Sequence, residues 1–326
     1  MKRSYFKYIF ALLLFGSNGI VASFISMNSY EIVLLRTLLG SFLLLAIFLL
    51  SKGKFTFYKS KKHFLYLTVS GIAMGTSWML LYEAYARIGV SISSLLYYCG
   101  PVIVMVLSPL LFKEKLTVYK VIGFISVLSG IFLVNGNALS GGGDTFGILC
   151  GGLSAVMYAF MVIFNKKAIG ITGLENSMLQ LMNSFLTVVI FVGIKQGFVM
   201  DIPTKNILPI LVLGFISTGI GCYFYFSSIE NLPVQSVAIC GYLEPLSAVM
   251  LSMLILRETM LPMQVIGAVL ILGGCNFWRM YEKTRSKAMK PIQWLPCPAC
   301  KSKSNKGFFS RSCFHSYRKN KCQYRT

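Results

Sequence analysis

Long apolar stretches follow one another along most of the chain and end near residue 281. Each is roughly 20 residues long, the length at which a helix crosses the ~30 Å hydrocarbon core of a bilayer. The stretches are continuous rather than alternating, and backbone in lipid must satisfy its hydrogen bonds within one segment, so they predict helices instead of strands. The ten predicted spans are residues 8–27, 31–50, 64–86, 91–111, 117–135, 146–165, 176–195, 206–229, 235–256 and 262–281.

A constant step of 144 residues relates the two halves of the chain. It separates Pro101 from Pro245 and Glu114 from Glu258, and it continues without a gap over many further positions. Further pairs with this offset are Gly75 and Gly219, Val90 and Val234, Tyr98 and Tyr242, Ser108 and Ser252, and Gly130 and Gly274. The chain is therefore predicted to contain two copies of one unit.

The composition agrees with an all-α membrane protein. Hydrophobic residues make up 56% of the 326 residues and charged residues only 13%, with a mean hydropathy of +0.69. A water-soluble surface does not tolerate these values. The first stretch follows Lys2, Arg3 and Lys7 and could be a secretory signal, but the repeat needs it as the partner of the sixth span, so we expect it to be retained.

The distribution of lysine and arginine predicts the orientation. If the N-terminus is cytoplasmic, most of the 31 basic residues lie in segments on that side, including thirteen from Arg279 onward. The predicted outer segments carry only Arg87, Lys195, Lys205 and Arg257. This is the positive-inside bias, and it predicts a cell-membrane protein with both termini in the cytoplasm. The net charge of +21 is then explained by topology and attraction to anionic lipid, without nucleic acid as a partner.

Each repeat contains five predicted spans, an odd number, so the second copy must enter the membrane from the opposite side. The resulting expectation is ten transmembrane helices as two inverted five-helix repeats, an arrangement that transporters use to open one site to either side. The predicted division is residues 1–140 for the first repeat, 141–282 for the second and 283–326 for a basic cytoplasmic tail that we expect to be disordered.

Paired helix-loop signatures occur once in each half. Cys99-Gly100-Pro101 continues to Lys113-Glu114, and Leu243-Glu244-Pro245 continues to Arg257-Glu258. Arg36 and the stretch from Tyr85 to Ser91 accompany them. On these residues the chain resembles the EamA family of the drug/metabolite transporter superfamily over roughly residues 6–281. The resemblance implies a ten-helix carrier of small metabolites, and transport direction and ion coupling rest on it alone.

Three ionisable residues within the spans are candidates for substrate binding, since charge at membrane depth is costly and usually faces a bundle interior or an aqueous path. Glu244 either binds a substrate amine or carries a proton, or else it supports the broken helix as a structural carboxyl. Glu83 is either a second site carboxylate or an interfacial residue. Arg36 either reaches the headgroups, or it pairs with Glu83 or an anionic substrate group.

Pro101 and Pro245 lie inside apolar runs, where each removes a backbone donor and clashes with the carbonyl four residues earlier. We expect the fourth and ninth helices to break there and to line a central cavity, with helix packing as the alternative. Aromatic residues complete the predicted pocket, although they are also common in packing and at interfaces. The candidates are Trp78, Tyr82, Tyr98, Tyr158, Tyr223 and Tyr242.

No enzyme motif and no cofactor motif occurs in the sequence, so neither a catalytic residue nor a cofactor is predicted. Glu114 and Glu258 are expected to brace short loops, with gating as the alternative. The tail contains Cys297, Cys300, Cys313, His315 and Cys322. A zinc site, a disordered lipid-attracted tail and a divergent coding end are the interpretations of this segment, and we expect no resident metal.

The functional expectation is a secondary transporter that exports small metabolites, such as amino acids or derivatives, by alternating access. The expected partners are a small-molecule substrate, membrane lipid and, as coupling ion, protons; the sequence does not specify an oligomeric state. One alternative is an exporter of drugs or quaternary cations. The alternative of another class is a membrane sensor or scaffold that does not transport and works through its C-terminal tail.

Overall fold

A computed structural model describes residues 2–114, 117–135, 144–198, 200 and 202–256, and then 262, 263, 265–267, 269, 270, 273 and 274. The elements in these ranges are helices: α1 (Lys2–Gly16), α2 (Asn18–Ser23), α3 (Ser29–Leu50), α4 (Lys61–Tyr97), α5 (Gly100–Phe112), α6 (Val118–Asn135), α7 (Thr145–Lys167), α8 (Gly173–Lys195), α9 (Ile207–Leu211), a π-helical segment (Val212–Ile220), α10 (Gly221–Ile229), α11 (Val234–Cys240) and α12 (Leu243–Leu256), with short 3₁₀ turns at Phe57–Lys59 and Thr204–Asn206. The predicted tail, with its cysteines, lies outside these ranges.

Six helical stretches in the described ranges are long and apolar enough to cross a membrane. They are Lys2–Ser23, Ser29–Leu50, Lys61–Ile88, Thr145–Lys167, Gly173–Lys195 and Thr204–Ile229. The fourth and fifth predicted spans correspond to shorter apolar helices, and most of the tenth lies outside the described residues. The all-helical class is confirmed for the described residues, whereas the count of ten spans stays a prediction.

The break between the third and fourth predicted spans lies elsewhere than expected. The sequence predicts it at residues 87–90, but α4 continues as one helix to Tyr97. Arg87 pairs with Glu83 one turn earlier at 2.8 Å, which supports the helix at the expected break. The chain turns at Tyr98 and Cys99 instead, and Pro101 lies in the first turn of α5. Backbone N–H groups in a first turn have no acceptor within the helix, so the missing N–H of proline costs no hydrogen bond there.

The ninth predicted span is interrupted in the corresponding place. Helix α11 ends at Cys240 and α12 begins at Leu243, so Pro245 again lies in the first turn of a helix. Pro245 cannot donate to the carbonyl of Gly241, and the N–H of Glu244 donates to that carbonyl instead, at 3.1 Å. Both prolines therefore follow an interruption and do not bend a continuous helix.

Contacts between the halves follow the 144-residue step. Nε of Arg36 donates to Oγ1 of Thr218 at 2.9 Å, and the residues with the same offset, Gln180 and Met74, contact each other at 3.9 Å between Nε2 and Sδ. Other contacts join a residue to its own repeat mate, the residue 144 positions away. The Tyr242 hydroxyl donates to the carbonyl of Tyr98 at 2.9 Å, and the Ser126 hydroxyl donates to that of Leu270 at 3.0 Å. Such reciprocity is the property of a two-fold relation.

Small residues bring the helices close together. Hydroxyls of Ser70 and Ser77 on α4 donate to carbonyls of α7, at 2.6 and 2.8 Å. A Cβ placed on Gly75 would lie 2.7 Å from the Ser184 carbonyl oxygen of α8. Glycine and serine at such positions let apolar helices approach to backbone contact. The packed elements enclose a cavity between the halves.

Candidate functional site

A cavity of about 460 Å³ is lined by residues of both halves of the chain. Its volume lies within the range of small-molecule sites. Phe15, Ile32 and Met74 from the first half and Met161 and Phe226 from the second contribute apolar surface. Six of the residues predicted for substrate binding line it: Arg36, Trp78, Tyr82, Tyr98, Tyr158 and Glu244.

Arg36 is the basic residue of the cavity lining, in the first half of α3. The residue is only 5% exposed, so its side chain does not extend to the surface of the protein. Nε donates to the Thr218 hydroxyl at 2.9 Å, and the guanidinium lies over the Trp78 ring, 4.7 Å from the centroid. In the described part of the chain, no carboxylate forms an ion pair with Arg36.

Thr218 lies in the π-helical segment that packs against α3. Its hydroxyl donates to the carbonyl of Leu213, five residues earlier, at 2.8 Å, and the residue is fully buried. Close approach of the two elements depends on glycine, since a Cβ on Gly214 or Gly219 would lie 2.6 or 2.8 Å from a leucine side chain of α3. Sequence reasoning did not identify Thr218, because a lone threonine in an apolar run carries no motif.

Glu244 lies in the first turn of α12, one residue before Pro245. The helix dipole has its positive end at the first turn, which favours a negative charge there. Within the described residues, the carboxylate makes no hydrogen bond or ion pair, while the main-chain carbonyl of Glu244 accepts the Ser247 hydroxyl at 2.8 Å. The cavity therefore contains a carboxylate and a guanidinium that are not bonded to each other.

Tyrosines form much of the remaining wall. The hydroxyls of Tyr158 and Tyr225 lie 3.2 Å apart, and the rings of Tyr97 and Tyr158 meet edge to face at 5.3 Å. Tyr85 bonds to Ser94 at 3.3 Å at another part of the lining. Tyr85 and Tyr225 were not among the predicted residues. A tyrosine is equally common in packing and at interfaces, so only the tertiary structure separates those that face the cavity.

Glu83 lies outside the cavity lining, in a network of ion pairs. Its carboxylate pairs with Arg87 at 2.8 Å and with Lys195 at 3.3 Å, and it accepts the Tyr30 hydroxyl. Arg87 also pairs with Asp144 at 2.8 Å. Arg87, together with the backbone N–H of Phe146, lowers the pKa of Asp144 below its usual value. Glu83 thus joins α4 to α3 and α8, and Arg36 does not pair with it.

Two of the predicted aromatic residues also lie outside the cavity lining. The ring of Tyr223 contacts Lys7, 5.2 Å from its centroid, and packs beside Phe224. Tyr242 is fully buried, where its hydroxyl bonds to Tyr98. Pro101 and Pro245 follow the helix interruptions that place Tyr98 and Glu244 at the cavity. No group of three or more metal-ligating side chains was found in the described ranges.

Comparison with known proteins gives consistent similarities. The profile of the EamA-like transporter family matches residues 3–136 and again residues 145–278. "Uncharacterized transporter YxxF" of Bacillus subtilis (strain 168) is 27% identical over 277 residues, which cover 82% of this chain and 86% of that protein. An "Uncharacterized transporter" of Clostridium kluyveri is 22% identical over 286 residues, covering 84% of this chain and 92% of that protein.

Among solved structures, one described as "Crystal structure of protein" has the same fold. It superposes with a TM-score of 0.74 at 16% sequence identity, covering 85% of this chain and 98% of that one. At this identity the likeness concerns the fold alone. The double family match agrees with the two copies that the 144-residue step indicates.

Proposed function

This chain belongs to the EamA-like transporter family, and from that premise we propose that it is a secondary carrier exporting small polar or amphipathic metabolites, such as amino acids or derivatives. The observation that supports this most directly is the cavity of about 460 Å³ between the halves, which contains both Arg36 and Glu244. Opposite charges in one small apolar chamber suit a solute that carries both charge and hydrocarbon.

Alternating access supplies the transport step in this proposal. The two halves, inverted relative to each other in the membrane, exchange conformations so that the shared cavity opens to one side and then to the other. The reciprocal contacts of Arg36 with Thr218 and of Gln180 with Met74 support the two-fold relation that such an exchange needs. The interruptions before Pro101 and Pro245 give each half a place where its helices can reorient.

Glu244 is the coupling group of the proposed carrier. Its carboxylate faces the cavity, and no hydrogen bond or ion pair in the described part of the chain engages it, so a proton or a substrate amine can bind there in turn. Competition between the two for one carboxylate would link the flux of substrate to that of protons. The proposed setting is the cytoplasmic membrane, with both termini inside, as the basic segments favour.

An exporter of quaternary or lipophilic cations is the second candidate. It is favoured by the tyrosine wall beside Glu244, since aromatic faces and a carboxylate bind cations well. This candidate uses Glu244 and has no need of Arg36. Because Glu83 is held in ion pairs outside the cavity, Glu244 is the carboxylate on which cation transport would depend.

A proteoliposome flux panel tests the proposal. The full chain is compared with Glu244→Gln using amino acids, sugars and organic cations, each with and without a pH gradient. We expect flux of amino acids, increased by the gradient, and a loss of at least about ten-fold in Glu244→Gln, the effect of removing one charged contact. Glu31→Gln is the matched control, because Glu31 caps the start of α3 and does not line the cavity.

The other outcomes are equally informative. Flux of cations alone would support the second candidate. Absence of flux for every class of solute would overturn the assignment as a carrier. Unchanged flux in Glu244→Gln would remove Glu244 from the mechanism while leaving the carrier in place.

A further inference from the structure

We propose that Arg36, held in place by Thr218, forms a subsite for the carboxylate group of the transported molecule. This inference rests on the proposed function, because it assigns the chemistry of one end of the same cavity. Thr218 acts as a positioning residue: it touches Arg36 and not the substrate. The substrate class that follows is a small organic acid or amino acid whose carboxylate is free.

The first argument is the missing counter-ion. An arginine residue that is only 5% exposed ordinarily has a carboxylate partner, since a buried unpaired charge is costly. Among the described residues, no carboxylate lies within ion-pair distance of Arg36, and Glu244 of the same cavity interacts with it only at longer range. A negative group supplied by the ligand would satisfy this charge, and its release would leave the charge unsatisfied again.

The second argument is the orientation of the guanidinium. Nε, the inner nitrogen, is occupied by the Thr218 hydroxyl at 2.9 Å, and the Trp78 ring lies against the guanidinium at 4.7 Å. No further hydrogen bond of Arg36 occurs in the described part of the chain, so the two terminal nitrogens are left for a ligand. A planar guanidinium that offers two nitrogens is suited to bidentate binding of a carboxylate.

The π-helical segment fixes which way the Thr218 hydroxyl points. Its proton is donated to the carbonyl of Leu213, five residues earlier, at 2.8 Å. The oxygen can therefore only accept from Arg36, and it cannot rotate to donate elsewhere without losing that bond. π-Helical turns are frequent at functional sites, and here the turn places a hydrogen-bond acceptor behind the arginine.

The charge of this subsite has no counterpart at the positions related by the 144-residue step. Gln180 and Met74 occupy the positions that correspond to Arg36 and Thr218, but Gln180 is uncharged and fully buried. The two contacts are related by the two-fold arrangement of the halves, but only one of them contains a charged residue, Arg36. A carboxylate would therefore bind with a single orientation relative to the two halves.

Binding to the purified full chain tests the subsite without relying on transport. The chain contains three tryptophans, so Trp278→Phe and Trp294→Phe leave Trp78, which contacts Arg36, as the fluorescence reporter. The probes are two acid and amide pairs: phenylacetate with phenylacetamide, and L-phenylalanine with L-phenylalaninamide. In at least one pair we expect the acid to change the emission saturably with a Kd at least about ten-fold below that of its amide.

Variants of Thr218 separate positioning from packing. Thr218→Val should raise the Kd of the acid by about ten-fold and leave that of the amide unchanged, whereas Thr218→Ser, which keeps the hydroxyl, should restore acid binding. Thr37→Val is the matched control, since Thr37 is equally buried on α3 and bonds only to its own helix. It should bind acid and amide like the parent protein.

Several results would overturn the subsite. Equal affinities for acid and amide in both pairs, or no binding of either acid, would exclude it. Unchanged acid binding in Thr218→Val would exclude positioning by Thr218, and equal loss of acid and amide would indicate a packing defect instead. These results are distinct from a failure of the proposed function, which appears as absent flux in proteoliposomes while the acid preference persists.

Discussion

At the scale of single residues, Glu83 and Glu244 have similar sequence contexts but different surroundings in the structure. Both lie in apolar helical stretches beside aromatic residues. Glu83 is 7% exposed and held by Arg87, Lys195 and Tyr30, whereas Glu244 faces the cavity. The first is therefore suited to joining helices and the second to binding and releasing a ligand.

The variant Glu83→Gln tests this division. We expect a lower thermal stability, by a few degrees in Tm, because the change leaves Arg87 and Lys195 without their shared counter-charge. The exposure of the two cations limits the loss. Ligand affinity measured through Trp78 fluorescence should stay within about two-fold of the parent, since Glu83 does not line the cavity and is already held in ion pairs.

A matched comparison for Glu83→Gln is Glu31→Gln, which removes a carboxylate from the first turn of α3. It should cost less stability than Glu83→Gln. A variant of Glu83 with normal Tm and lost ligand binding would contradict the structural role and return Glu83 to the binding site.

At the scale of helices, close packing depends on residues without bulky side chains. Gly75 of α4 faces the backbone of α8 at Ser184, and its repeat mate Gly219 approaches Gly40 of α3. The same kind of contact thus recurs in both halves. Helix pairs in a bilayer gain stability mainly from such close packing, since lipid offers little hydrophobic driving force between helices.

Gly75→Ala should weaken the contact between α4 and α8. The new Cβ would lie 2.7 Å from the Ser184 carbonyl oxygen and 2.9 Å from the Thr187 Cβ, so the backbones must separate. We expect a loss of roughly 1–3 kcal/mol, the usual effect of overpacking. Unfolding in detergent, followed by circular dichroism, measures it.

Gly152→Ala is the control for that experiment. Gly152 is also helical, but a Cβ there meets no atom within 4 Å, so alanine should be neutral or slightly stabilising through its helix propensity. Equal stability of the two variants would show that α4 and α8 do not meet at Gly75 as described.

At the scale of the whole molecule, two copies of one unit share a cavity and differ in charge within it. Reciprocal contacts relate the halves, and residues such as Tyr98 and Tyr242 meet their own repeat mates. Arg36 and Glu244, by contrast, have the uncharged mates Gln180 and Gly100. The backbone arrangement can therefore be exchanged between halves while the binding groups stay unequal.

Thiol labelling of intact cells tests the orientation of this assembly. In a cysteine-free background, Phe198→Cys should react with a membrane-impermeant maleimide from outside, because residue 198 follows the predicted seventh span and is exposed. Lys54→Cys, in the basic segment after α3, should react only after the cells are permeabilised. Labelling of both from the same side would contradict the proposed inverted arrangement.

Much of the fold could be predicted from the sequence, because span length and apolar continuity are local properties. The repeat and the family resemblance are confirmed by the two family matches. The sequence predicted an interruption at residues 87–90, whereas the helix continues to Tyr97, with Arg87 paired to Glu83. The interruption instead precedes Pro101, a signal that the sequence did contain.

The site could be predicted less completely. Charge in an apolar span singled out Arg36 and Glu244, which line the cavity, and equally Glu83, which does not. Aromatic type singled out Trp78 and Tyr158 along with Tyr223, which packs elsewhere. Residue chemistry alone cannot say which face of a helix a neighbouring helix covers, because that depends on packing between distant segments.

By itself, then, the sequence determined a chain of apolar helices with an internal repeat, because these follow from the solvent and from residue identity at fixed spacing. The tertiary structure alone decided which polar groups meet. Arg36 and Thr218 are 182 residues apart, and their bond exists only because α3 packs against the π-helical segment. Contacts between residues so far apart in the sequence arise from the packing of whole helices, and no local pattern of residues encodes them.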